Sequence, residues 1–180
     1  KDWLGGYNQY TLVKGLFFPL VLAGSHIIGI PYTIVITLLY IIACILFIYM
    51  LRNILKNKLI IGIIFCMLLF NPVSTSLTSF SRVYRNCLTP IQVLIILGTS
   101  LEVYFRINKE ENFITIICSI ITGLVLASFY NTREDYIWIM PYMIFILVIT
   151  LIKVLIKKYE IKKIIKKSII IMLPVFILIL

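Results

Sequence analysis

The sequence predicts an all-α fold, a polytopic bundle of transmembrane helices with a short interfacial helix on the external face. The chain has 180 residues, of which 62% are hydrophobic, whereas soluble domains have roughly 45–50% apolar residues. Its 17 basic and 7 acidic residues fall in short clusters between apolar runs. Runs such as YTIVITLLYIIACILFIYML at 32–51 have no polar face, which argues against a soluble helical protein.

Six apolar segments are candidate spans, because a helix needs about 20 apolar residues to cross a bilayer. They are residues 33–51, 59–76, 88–105, 113–130, 137–156 and 168–180. The second is the weakest, since Asn71-Pro72 interrupts its apolar run. The Ser- and Thr-rich stretch that follows is expected to be buried among other helices, where hydroxyl groups can bond the freed backbone. Residues 33–180 therefore form the predicted transmembrane region.

The basic residues predict the orientation of these spans. Alternate connections carry twelve and five cations, and the more basic side of a membrane protein is cytoplasmic. The twelve are Arg52, Lys56, Lys58, Arg106, Lys109, Lys153, Lys157, Lys158, Lys162, Lys163, Lys166 and Lys167, and the five are Lys1, Lys14, Arg82, Arg85 and Arg133. The protein is therefore expected in the cytoplasmic membrane, with its Lys-rich loops facing the cytoplasm and the headgroups of the lipid bilayer.

The first apolar stretch, residues 15–30, is too short and too rich in Gly and Pro to be a good span. A crossing there would also invert the charge pattern. We therefore predict an interfacial or re-entrant helix on the external face, broken by Pro31. Residues 1–32 form the predicted external loop and interfacial helix. His26 on this helix is best explained as an interfacial side chain rather than a catalyst.

Several other classes of site have no support in the sequence. The four cysteines form no CxxC or Cys/His cluster, so neither a disulfide nor a metal site is predicted. Membrane orientation explains the net charge of +10 better than nucleic-acid binding does, and no nucleic-acid partner is expected. Glu102 lies one turn before Arg106 near the inner end of its span, an i,i+4 pair that needs no functional explanation.

The predicted external loops combine cations and carboxylates. In SFSRVYRNCLTP, Arg82 and Arg85 are three residues apart, so a helical turn would point both guanidinium groups the same way. Lys14 opens the interfacial helix, where a lysine either anchors in the headgroup layer or binds a phosphate.

The loop NTREDYIWIMPY carries Arg133, Glu134 and Asp135 in succession. One interpretation is that these charges pair with one another in a tight turn. The other is that they belong to an active face, with Arg133 holding an anionic substrate and a carboxylate handling a proton.

The order DWL…YNQYTLVKG…FPL, then NPVS…RVYRN, then TREDYIWIMP resembles the C-type membrane glycosyltransferases, which use polyprenyl-phosphate-linked sugars. It is most similar to bacterial relatives of protein mannosyltransferases and of lipid A aminoarabinose transferases. In that family a first external loop carries an acidic catalytic motif, and a Lys-Pro-Pro-Leu-like segment follows. Lys14 stands where the family has its lysine, but Gly15 and Leu16 replace both prolines.

The resemblance implies an enzyme that moves a sugar from a polyprenyl-phosphate carrier to an extracytoplasmic acceptor. It implies phosphate binding by Lys14, to which the sequence adds Arg82, Arg85 and Arg133, with Glu134 and Asp135 as the candidate catalytic carboxylates. The chain begins with Lys1 rather than Met, so we expect a fragment whose main acidic motif lies upstream. Asp2 is better explained as a turn residue. The cofactor is unknown, since either cations or a divalent metal can neutralise the departing phosphate.

Two alternatives from other classes stay open at this point. A transporter or flippase for a lipid-linked or small anionic substrate should carry ionisable residues in mid-span, or broken helices in two matching halves. A purely structural membrane partner should have no cluster of external arginines and acids.

Overall fold

The computed structural model describes residues 17–52, 54–71, 85–107, 113–132, 138–156 and 161–179. Within these ranges the regular structure is helical, without a strand, which confirms the predicted all-α helical bundle. The α-helices are α1 (Phe17–Ile28), α2 (Tyr32–Leu51), α3 (Lys58–Leu69), α4 (Leu88–Arg106), α5 (Phe113–Thr132), α6 (Met140–Ile156) and α7 (Ile161–Ile179). A 3-10 turn, Arg85–Cys87, leads into α4.

The break between α1 and α2 falls where the sequence predicts it. Gly29 follows the last residue of α1 with φ +73°, a left-handed conformation that glycine adopts without steric cost. Its backbone N–H donates to the carbonyl of His26 at 3.1 Å, which ends the helix. Pro31 then caps the start of α2 with φ −54°, so its missing N–H costs no helical hydrogen bond.

Among the described residues, three helices are long and apolar enough to cross a membrane, namely α2, α4 and α5. Helix α6 has 17 residues, and α1 and α3 have 12 each. Helix α7 begins at Ile161, ahead of the predicted start at residue 168, so the later part of the Lys-rich run is helical. Since no helix-breaking residue separates that run from the apolar segment, one helix continues through both.

Helix α3 ends at Leu69, short of the predicted end at residue 76. Asn71 and Pro72 explain the early end, because proline disfavours helical geometry in the residue before it. The hydroxyl of Tyr40, near the middle of α2, donates to the carbonyl of Leu68 at 2.6 Å. The last turn of α3 therefore lies beside the midpoint of α2. The hydroxyl-rich stretch at 72–84 lies outside the described residues.

Helix α4 lies at the centre of the bundle, and its polar side chains fix the directions of its neighbours. Gln92 bonds Ser128 and Thr132, and Thr122 lies 2.7 Å from Thr99, so α5 runs antiparallel to α4. Helix α6 runs parallel to α4, because Ser100 hydrogen-bonds Tyr142 and Lys153 hydrogen-bonds the backbone of Tyr104. Helix α7 runs parallel to α5. Ser119 donates to the carbonyl of Ile170, and Gly123, one turn later, lies beside Pro174 and Ile177.

These directions give the bundle two ends. Helices α2, α4 and α6 begin at the Gln92 end and finish at the Arg106 end. Helices α3, α5 and α7 begin at the Arg106 end, and α5 finishes at the Gln92 end. Every lysine and arginine whose side chain the structure describes belongs to the Arg106 end. These residues are Arg52, Lys56, Lys58, Arg106, Lys153, Lys166 and Lys167. The described members of the twelve cations predicted on the cytoplasmic side therefore lie at one end of the bundle.

Small residues allow the closest helix contacts. A Cβ added to Gly123 would come within 2.9 Å of the backbone of Pro174, which lies inside α7. A Cβ on Gly98 would come within 3.1 Å of the Met50 sulfur on α2. Such contacts let helix backbones approach within the membrane, where dispersion contacts replace the hydrophobic effect as the source of association.

Candidate functional site

The side chains predicted to bind or transform a substrate lie outside the described residues. Lys14, Arg82, Arg133, Glu134 and Asp135 belong to stretches that the structure does not describe. The backbone of Arg85 opens the 3-10 turn before α4, and its side chain is among those not described. What the structure gives is the position of the helix ends that adjoin these residues.

Two of these helix ends meet directly. Gln92 is 3% exposed, and its amide nitrogen Nε2 donates to Ser128 Oγ at 3.1 Å and to Thr132 Oγ1 at 3.0 Å. Thr132 is the last residue of α5 and directly precedes Arg133, whereas Gln92 follows Arg85 by about two helical turns. The end of α5, next to Arg133 in the chain, and the start of α4, just after Arg85, therefore lie at the same end of the bundle.

Aromatic side chains pack the end of α5 against the start of α6. The ring of Trp138, just before α6, meets the edge of Phe129 in the last turn of α5, with the ring centroids 5.8 Å apart. Phe129 and Ile139 are buried in the same apolar cluster. The end of α5 and the start of α6, which flank residues 133–137 in the chain, therefore pack against each other at the Gln92 end.

Helix α1 approaches the same region. The ring of Phe18 lies 5.9 Å, centroid to centroid, from that of Tyr32 in the first turn of α2. Phe17 and Phe18 pack against a buried cluster that contains Tyr32, Cys87 and Leu88. The start of α1, three residues after Lys14, therefore adjoins the starts of α2 and α4. The described starts of α1 and α4 and the end of α5, which adjoin the predicted site residues in the chain, therefore all lie at the Gln92 end.

A row of buried polar side chains follows α4 through the bundle, and we call it the polar seam. From the Gln92 end to the Arg106 end, α4 contributes the buried side chains Gln92, Thr99, Ser100 and Glu102, and the partly exposed Arg106 pairs with Glu102. Thr99 and Ser100 hold hydroxyl contacts to the neighbouring helices, at 2.7 Å to Thr122 and 2.8 Å to Tyr142. Buried hydroxyl pairs of this kind tie helices together where lipid offers no hydrogen bond.

An ion pair ends the seam. Glu102 is 2% exposed and forms the predicted i,i+4 pair with Nε of Arg106. Nearby, Lys153 Nζ donates to the carbonyl of Tyr104 at 2.7 Å and lies 4.0 Å from the centre of that ring. The i,i+4 spacing predicted the pair but not its burial. An acid within an otherwise apolar run was the available signal, since such acids usually face the bundle interior.

These features define an all-helical membrane protein with a buried polar seam. The sequence matches no protein-family model, and comparison with curated proteins and with solved structures finds no significant similarity. The resemblance to C-type glycosyltransferases therefore stays a prediction from the sequence. Within the described residues no group of three or more His, Cys, Asp or Glu side chains could hold a metal ion.

Proposed function

We propose that the chain is part of a multi-pass glycosyltransferase of the cytoplasmic membrane. It transfers a sugar from a polyprenyl-phosphate carrier to an acceptor on the external side. The observation that carries this proposal is the convergence at the Gln92 end of the helix ends that adjoin Lys14, Arg85 and Arg133. Cations at one end of the bundle suit a lipid phosphate, whose charge stays at the membrane surface while its chain lies in the bilayer.

The proposed chemistry uses both signs of charge in the external loops. The bond between the sugar carbon and the phosphate oxygen breaks, and the acceptor oxygen forms the new bond to that carbon. A carboxylate accepts the proton of the acceptor hydroxyl, a role for Glu134 or Asp135. The polyprenyl phosphate departs with both electrons of the broken bond, and Lys14, Arg82, Arg85 and Arg133 stabilise its added negative charge.

A transporter or flippase for a lipid-linked anion is the second candidate, and the burial of Glu102 favours it. Ionisable groups inside a membrane bundle commonly line substrate or ion pathways. The end of α3 beside the midpoint of α2 adds to this, since transporters often build sites at helices that stop within the membrane. The two candidates predict different positions for the sugar-loaded carrier when the protein is missing.

Deleting the gene in its natural host is expected to cause sugar-loaded polyprenyl phosphate to accumulate on the external leaflet, because transfer is blocked after the carrier has crossed. Lipid extraction with mass spectrometry measures the amount. Oxidation of intact cells with periodate, which does not cross the membrane, reports the leaflet. Accumulation on the cytoplasmic leaflet would support the transporter instead, and an unchanged lipid pool would contradict both candidates.

The orientation is tested separately, because the proposal needs the Gln92 end outside. A single cysteine at Asn131 is expected to react in intact cells with a maleimide that does not cross the membrane. A single cysteine at Lys163 is expected to react only after permeabilisation. Both variants are made in a background without the four native cysteines. The reverse labelling pattern would overturn the orientation and, with it, the external grouping of the charged loops.

A further inference from the structure

The hydrogen bonds around Gln92 leave its carbonyl oxygen without a partner. The hydroxyl of Ser128 donates to the carbonyl of Val125 at 2.8 Å, and that of Thr132 donates to the carbonyl of Ser128 at 2.7 Å. Since each hydroxyl has a single proton, both can only accept from Gln92. The amide nitrogen must therefore face them, and Oε1 must face away. This oxygen is buried and has no hydrogen-bond partner among the described residues.

A second unpartnered oxygen lies one turn earlier on the same helix. Thr89 Oγ1 is buried and has no hydrogen-bond partner in the part of the chain that the structure describes, although a helical threonine normally donates to a carbonyl in the preceding turn. Residues three apart share a helix face, so Thr89 and Gln92 lie on one face of α4. Buried polar atoms in proteins are normally hydrogen-bonded, so two oxygens on one face of α4 that bond no described residue are candidates to bind a ligand.

We propose that Thr89 Oγ1 and Gln92 Oε1 form a subsite that hydrogen-bonds a sugar hydroxyl group of the substrate. This inference rests on the proposed function, and it adds the recognition of the neutral sugar to the binding of the charged phosphate. Gln92 Oε1 can only accept, so it selects a donor such as a hydroxyl. The Thr89 hydroxyl can donate or accept, so it can donate to the oxygen of the same sugar hydroxyl group whose proton Gln92 accepts.

The position of the pair within the bundle supports a sugar rather than a phosphate as its ligand. An acceptor oxygen repels the oxygens of an ionised phosphate but binds the proton of a hydroxyl. The pair lies at the Gln92 end of α4, within two helical turns of the backbone of Arg85. A sugar bound there would have its phosphate near the helix ends that adjoin the predicted cations in the chain.

Thr89→Val tests the subsite with little disturbance of the fold. The change keeps the side-chain shape and removes a hydroxyl group that bonds none of the described residues. Thr115→Val is the matched control, because Thr115 Oγ1 is also buried without a partner but lies at the Arg106 end. Both variants are expected to melt at or above the wild-type temperature in detergent. Gln92→Leu, a second variant, removes the acceptor oxygen. Its control is Thr122→Val, which removes a different hydroxyl contact of the polar seam.

Binding of two lipids to the purified protein in nanodiscs gives the readout. The probes are polyprenyl phosphate and polyprenyl phosphate carrying glucose or mannose. The wild type is expected to prefer a sugar-bearing lipid, and Thr89→Val and Gln92→Leu to weaken its binding about three- to tenfold, as for one neutral hydrogen bond. The bare lipid should bind all variants equally, and both controls should bind like the wild type.

The outcomes separate the subsite from the proposed function. If the wild type binds neither lipid, the glycosyltransferase proposal fails. If it prefers a sugar-bearing lipid and Thr89→Val and Gln92→Leu keep that preference in full, the subsite alone is wrong and water fills the position. If Thr115→Val loses the preference as well, the effect is not specific to the Gln92 end, and the assignment is again overturned.

Discussion

Glu102→Leu is expected to destabilise the bundle by about 3–5 kcal/mol, the usual cost of removing one partner of a buried ion pair. Glu102 is 2% exposed and Arg106 is 17% exposed, so the guanidinium would keep its charge without a counter-ion in a region of low polarity. Reversible unfolding in mixed micelles, followed by circular dichroism over a titration with SDS, measures the change in free energy.

The double variant Glu102→Leu with Arg106→Leu is the matched control. Replacing both partners of a buried pair with apolar side chains is often neutral or stabilising, so most of the lost stability should return. A loss below about 1 kcal/mol in the single variant would be the value of a solvent-exposed pair. That result would contradict the burial of Glu102 and remove the main support for a transporter.

Arg133→Gln is expected to lower sugar transfer by about one to two orders of magnitude while leaving the amount of protein in the membrane unchanged. A charge-assisted hydrogen bond to a phosphate contributes roughly 1.5–3 kcal/mol, and each 1.36 kcal/mol is a factor of ten in rate when the contact acts in the transition state. The amount of unused sugar-loaded carrier in cells that express the variant measures the loss, relative to cells with the wild type.

Two further variants decide what such a loss would mean. Glu134→Gln is expected to lower transfer too, if its carboxylate takes the acceptor proton. Lys157→Gln removes a charge of the same sign as Arg133 from the predicted cytoplasmic side and should leave transfer unchanged. If both external variants transfer sugar fully at normal expression, the charged residues 133–135 have no role in catalysis and the site assignment is wrong.

Helix positions could be predicted well from the sequence because a bilayer leaves the backbone few choices. Every N–H and C=O group in the hydrocarbon region needs an internal partner, so long apolar runs become helices. Pro31 predicted the break between α1 and α2, and the predicted span 33–51 corresponds to α2. The early end of α3 was less predictable, since it depends on how Asn71-Pro72 is accommodated.

The candidate site could be predicted only in part. The spacing of Arg82, Arg85 and Arg133 along the chain identified charged loops on one predicted side, and their chemistry suggested phosphate. The resemblance added a role for Lys14. Which helix ends adjoin one another could not be read from these motifs, because it depends on contacts between residues far apart in the chain, such as Gln92 with Thr132.

The sequence by itself determined the all-helical class, most helix boundaries and the separation of charge between the two ends. These follow from local properties, namely hydropathy, proline and the distribution of lysine and arginine along the chain. The tertiary structure alone decided that Glu102 is buried, that α3 ends beside Tyr40, and that Gln92 turns its carbonyl oxygen away from α5. Such features depend on which face of each helix meets a neighbour, and nearly uniform apolar helices carry too little polar patterning to specify that face.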